Sequence, residues 1–161
     1  MDADTYFNKT YAKFKQDGFT LQEDKIDSFN VTVATKSQFK VSWFASQLNF
    51  FAIIGVSKHI TKETIENYSK NCIDYAKKNN KGLPRGLQSG VVSFALLVSS
   101  NVDEEAKKFA QKRPKKHFAA FEMPVIFDLK ENKLYYYDKT PFWGSIYYES
   151  FRNFIETYFK P

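Results

Sequence analysis

The sequence predicts a single α+β (or α/β) domain over residues 1–161, with a mixed, mainly antiparallel sheet and helices packed on it. Three observations carry this. Some segments alternate apolar and polar residues, two runs are apolar on both parities, and four segments space apolar residues three and four apart. The length suits one core that buries roughly two-thirds of the unfolded surface, and no repeat or Pro/Ser-rich linker divides the chain.

The first segment, from a cap at Asp4, places Phe7, Tyr11 and Phe14 on one helical face and ends at the "DG" of residues 17–18. Phe29, Val31 and Val33 alternate with polar residues, and so do Phe39, Val41 and Trp43 after "TKSQ" (35–38). The two are expected to form a hairpin. The run "LNFFAIIGV" (48–56) is apolar on both parities, which suits a central strand covered on both faces. Thr61 caps a helix whose stripe is Ile65, Tyr68, Cys72 and Tyr75 or Ala76, ending at Gly82.

A second covered strand, "VVSFALLVSS" (91–100), precedes a short helix capped by Asp103, with Ala106, Phe109 and Ala110 inward and "RP" (113–114) stopping it. "HFAAFEMPVIFDL" (117–129) reads as a strand interrupted at Pro124, where a bulge or an edge position is expected, with "KLYYYD" (133–138) as its partner. A last helix from Ser145 buries Tyr147, Phe151, Phe154, Ile155 and Tyr158. The order is α-β-β-β-α-β-α-β-β-α.

One cysteine excludes an internal disulfide and every Cys-pair zinc pattern. No apolar run approaches the ~20 residues of a membrane helix, so a soluble cytoplasmic protein without a membrane partner is expected. The net charge of +6 and the 18% aromatic content suggest nucleic acid or acidic surfaces. The same composition follows from A/T-rich codons, because Lys outnumbers Arg 21 to 3 and Phe outnumbers Leu 17 to 8.

"KGLPRGLQSG" (81–90) has the look of a phosphate loop, but its glycine spacing matches no nucleotide fingerprint and a strand, not a helix N-terminus, follows it. It reads as a helix cap and stiff turn, leaving Arg85 and Gln88 as groups that could hold an anion. "DKTPFWGS" (138–145) sets Trp143 and Ser145 beside a helix start, so Arg85, Gln88, Trp143 and Ser145 form the expected ligand-binding set.

The order α-β-β-β-α-β at the N-terminal side is that of the restriction-nuclease-like core. Its chemistry needs an Asp and then a (D/E)xK, two acids holding a divalent metal and a lysine assisting water. The nearest positional match is Asp27 with Gln38 and Lys40, in which Gln replaces the second acid. Literal triplets occur at Glu23/Lys25, Glu105/Lys107, Asp128/Lys130 and Glu131/Lys133, none on the third strand.

Cys72 on an apolar stripe reads as inert, and His59 and His117 as one surface and one packed residue rather than a cluster. "QKRPKKH" (111–117) with Tyr135 and Tyr137 could form a nucleic-acid surface, although the last helix is expected to cover the tyrosines. No metal or cofactor is implied. The leading expectation is a non-catalytic domain that binds a small anionic ligand or a protein partner. A metal-dependent nuclease or other phosphate-directed enzyme is the first alternative, and nucleic-acid binding the second.

Overall fold

In a computed structural model, residues 1–40, 46–81, 89–142 and 145–161 are described. Helix α1 (Ala3–Gln16) leads into strands β1 (Thr20–Ile26), β2 (Phe29–Lys40) and β3 (Ser46–Val56). Helix α2 (Lys62–Asn79), strand β4 (Ser89–Ser99) and helix α3 (Glu104–Gln111) follow, and then β5 (Lys116–His117), β6 (Ala120–Asp128), β7 (Lys133–Tyr135) and α4 (Ser145–Tyr158). The sheet order is β1-β2-β3-β4-β6-β5, with β7 also on β6. β3, β4 and β6 run parallel, and the remaining pairs are antiparallel.

The expected α+β architecture is present, although β1 is not among the expected strands and the hairpin expected from residue 29 onwards is replaced by one strand. β1 is polar on both parities and pairs along its whole length with β2, so only the pairing reveals it. Residues 29–40 form one strand instead of two joined by a turn, and "TKSQ" lies inside it, paired with Leu48–Phe51. Val41 and Trp43 lie outside the described residues.

Two apolar layers sandwich the sheet. On one face, Phe50, Phe94 and Phe127 meet Tyr6 and Phe14 of α1 and Phe151, Phe154 and Phe159 at the α4 end. Aromatic stacking runs through this layer, with Phe94 stacked 4.1 Å from Phe154 and Phe127 stacked 4.0 Å from Tyr6. On the other face, Ile53, Ala95 and Leu97 meet Ile65, Cys72 and Ala76 of α2 and Ala106 and Ala110 of α3. β4, parallel to both neighbours and covered on both faces, is buried at every residue.

The helix caps are local. Asp2, not Asp4, caps α1 by accepting from the Thr5 N–H at 2.8 Å, and the buried stripe is Tyr6, Thr10 and Phe14, with Phe7 and Tyr11 half-buried. Thr61 caps α2 as expected, and Ile65, Tyr68, Cys72 and Ala76 face inward. Pro124 interrupts nothing. It sits where β6 has no outer partner among the described residues, between the stretches that β5 and β7 cover, and there its missing N–H costs no described ladder bond.

Candidate functional site

The amino ends of β3, β4 and β6 gather polar groups that a core does not need. Glu122 of β6 is buried under α2, where its carboxylate accepts from Ser69 Oγ at 2.8 Å and from His117 Nε2 at 2.7 Å. His117 Nδ1 lies 3.4 Å from Lys77 Nζ, a donor sequence that suits an imidazole protonated on Nε2. A carboxylate buried this deeply requires such partners, because desolvation otherwise costs several kcal/mol. The chain of contacts ties α2 to the β5–β6 hairpin.

Its order excludes nucleophilic catalysis of the serine-triad kind. That chemistry needs the imidazole between hydroxyl and carboxylate, whereas here the carboxylate stands between them and Ser69 is fully buried. Cys72, one helical turn further along, is buried as well, and burial pushes its thiol far above the ordinary range.

Beside this chain, β4 places Ser89 and Ser93 inward, Ser93 in register with Glu122. Neither hydroxyl has a hydrogen-bond partner among the described residues, a rarity for buried oxygens. Gly90, between them, is the one glycine of the 81–90 stretch that the structure describes. A Cβ there would lie 2.8 Å from Leu48 Cδ2 and 3.3 Å from the Ala119 carbonyl, which accepts from the Val91 N–H. Gly90 therefore lets the β5–β6 hairpin dock against the start of β4.

On the same face, towards β1, a cleft of about 560 Å³ opens between the sheet and the C-terminal end of α2. Thr20, Thr35 and Phe51 form its sheet wall, Tyr75 and Asn79 its helical wall, and Lys81 its rim. No Asp or Glu is among the lining residues, which include Lys36 and Lys81. Asn49 builds the rim, accepting from Ser37 Oγ and donating to Asn80 Oδ1 and, at 3.0 Å, to the Lys81 carbonyl. Tyr75 donates to Asp24 at 2.6 Å. Burial and that carboxylate push its phenol up to about 12, while the phenol holds Asp24 below its ordinary value. The carbonyl end of α2 adds partial negative charge here, which Lys77 and Lys78 in its last turn offset.

The expected site residues are placed unevenly. Arg85, Gln88 and Trp143 lie outside the described residues. Ser145 opens α4, on the sheet face opposite α2, so it does not share the cleft's layer. Asp27 stands in the β1–β2 turn with φ 53°, whereas Gln38 and Lys40 pair with Leu48 and Ser46 at the far end of β2. At about 3.3 Å per residue, roughly 35–40 Å separates them. From Ser28 to Ile60, across β2 and β3, the sequence holds no Asp or Glu.

Among the described residues, no group of three or more His, Cys, Asp or Glu is placed to hold a metal. Among them, too, no helix is long and apolar enough to cross a membrane. Tyr135 and Tyr137 are both buried, in opposite layers, and form no exposed platform.

Sequence reasoning missed Thr20, Thr35 and Asn49. The available signals were the polar "TKSQ" inside a strand and the Asn inside an otherwise apolar run. No protein-family model, curated protein or solved structure matches this chain.

Proposed function

We propose that this chain is a non-catalytic binding domain that takes a small anionic ligand in the cleft between β1–β3 and α2. The cleft's lining carries the reading, because it offers two lysines, hydroxyls and amides and an aromatic wall, with no carboxylate among the lining residues and the neighbouring Asp24 carboxylate held by the Tyr75 hydroxyl. In the proposal, Thr20 and Thr35 supply neutral hydrogen bonds, Phe51 packs against the ligand's apolar part, and Lys81 meets its charge. Lys36 is less available, since its ammonium already donates to the Asp17 carbonyl at 2.6 Å.

Lys81 opens the segment that carries Arg85 and Gln88. The proposal gives Arg85 planar, paired hydrogen bonds to a carboxylate or phosphate on grounds of residue chemistry alone. Trp143 and Ser145 are left out of the cleft set.

The test is calorimetry after a thermal-shift screen of inorganic phosphate, nucleoside monophosphates and di- and tricarboxylates. One of these anions is expected to bind, with Lys81→Ala and Arg85→Ala each weakening it about ten-fold, which is about 1.4 kcal/mol. A screen in which none binds, or a bound anion indifferent to both substitutions, overturns the reading.

A further inference from the structure

The register of β1, β2 and β3 sets a polar floor under the cleft. Thr20 of β1 stands opposite Thr35 of β2, and Thr35 opposite Phe51 of β3, while two residues further along β2 Ser37 stands opposite Asn49. Thr35 and Ser37 share a face because side chains alternate along a strand, and both line the cleft with Thr20. Neighbouring strands lie about 4.8 Å apart and alternate residues of one strand about 6.7 Å apart, so these three hydroxyl groups are spread along and across the floor. Ser37 Oγ spends its proton on Asn49 and keeps its capacity to accept. On the facing helix, Asn79 donates to the Tyr75 carbonyl at 2.9 Å, which leaves its Oδ1 to accept.

Apolar surface is scarce in the same lining. Val33 and Phe50 expose 2% of their surface and Phe51 6%, whereas Thr20, Gln22, Ser37, Asn79 and Lys81 are exposed and Thr35 is half-buried. The volume of about 560 Å³ lies within the roughly 300–1,000 Å³ of clefts that hold a ligand much larger than one phosphate or carboxylate group. A hydrocarbon body there would leave hydroxyls and amides facing apolar atoms, and each hydrogen-bonding group stripped of a partner costs free energy. A body of hydroxylated carbons pairs with them instead, and its C–H edge is the apolar part that meets Phe51. We infer, on the reading that the cleft binds an anion, that the ligand is a sugar carrying that anion, a sugar phosphate or a sugar acid. Its anionic group meets Lys81, and its hydroxyls bond to Thr20, Thr35, Ser37 and Asn79.

The experiment is calorimetry on the full chain with pairs of ligands matched in anionic group and chain length and differing in hydroxyls. Ribose-5-phosphate is set against pentyl phosphate, and gluconate against hexanoate, with inorganic phosphate as the anion alone. In one pair the hydroxylated member is expected to bind about 10- to 100-fold tighter, the worth of two hydrogen bonds of ordinary net strength. A preference in the first pair marks a sugar phosphate, and one in the second a sugar acid. Thr20→Val and Thr35→Val keep the branched shape that suits a strand and delete one hydroxyl each, and each should cut the preference by about 2- to 10-fold. Lys81→Ala should weaken both members of the pair and leave their ratio. Because the preference is a ratio measured on one protein, a variant that is merely less stable does not change it. Equal binding within both pairs, or a preference that both valine variants keep, overturns the sugar while the anion reading stands. Binding of none of these ligands overturns the sugar as well, and the anion reading is then decided by its own screen.

Discussion

The two ends of the parallel strands are built to different standards. At the carboxyl ends, charges close on one another. Lys107 of α3 is buried and reaches Glu131 at 2.6 Å, Glu104 at 3.0 Å and Asp128 at 3.2 Å, with its ammonium 5.0 Å from the centre of the Tyr135 ring. Asp128 also accepts from the N–H groups of Lys130 and Glu131, and Asp103, at the N-cap position of α3, gives its carboxylate to His59 instead of the helix. At the amino ends, two buried hydroxyls have no partner among the described residues, and a cleft stands open with two lysines and no acid in its lining. Open α/β sheets commonly bind ligands beyond the carboxyl ends of their strands. Here that end is locked by ion pairs, and the spare polar capacity lies at the other.

The hardest blow to this contrast is the loss of the lock. Lys107→Met leaves Asp128, 3% exposed, without its cation, and is expected to destabilise the fold by about 3 kcal/mol in urea unfolding. The pH dependence gives the sign. The Lys107 and Tyr135 hydrogen bonds hold Glu131 below its ordinary value. Its contribution is therefore full above the usual carboxylate range and is lost as the pH falls through that lowered value. The variant keeps only the part of that contribution that Tyr135 supplies, so its stability gap from the parent should narrow in acid. A gap that is constant with pH would mean that Lys107 acts through packing alone.

A smaller effect is expected where the amino end is tightly built. Gly90→Ala forces a Cβ against Leu48 and the Ala119 carbonyl, and about 1–3 kcal/mol of destabilisation should follow. Leu48 can turn its methyl aside, but the carbonyl belongs to the backbone of the hairpin and cannot. A neutral substitution would show that the hairpin docks loosely and that this end is not a defined site.

The layers were legible because they rest on strong periodicities. Ile65, Tyr68, Cys72 and Ala76 recur at helical spacing, and β4 is apolar on both parities since both of its faces are covered. β1 was illegible for the opposite reason. As an edge strand it places Gln22, Glu23, Asp24 and Lys25 in succession, a charged edge that resists pairing with other chains and carries no apolar rhythm.

The misplaced turn is the instructive case. "TKSQ" breaks the alternation of β2 because Thr35 and Ser37 line the cleft instead of packing under a helix. The pattern failed where the cover stops, which is where a binding cleft has to be. The buried chain through Glu122 was invisible for another reason. Its members, Ser69, His117 and Glu122, come from separate elements and meet only in the fold.

The finest test lies on one strand. Ser93 and Ser99 both belong to β4, are both buried and point to the same face, six residues apart. Ser99 Oγ donates towards the carbonyls of Lys58 and Asn101 and accepts from the Asn101 N–H at 3.0 Å, whereas Ser93 Oγ has no partner among the described residues. Ser99→Ala should therefore cost about 1 kcal/mol, the worth of hydrogen bonds whose buried partners are then left unpaired. Ser93→Ala removes an unpaired oxygen and should be neutral or slightly stabilising in the same urea titration, because nothing is orphaned by its loss. The two substitutions delete the same atom from the same strand, so their difference isolates what each end does with a buried hydroxyl. Equal costs would mean that Ser93 is satisfied in solution, and the contrast between a locked and a spare end would then rest on the cleft alone.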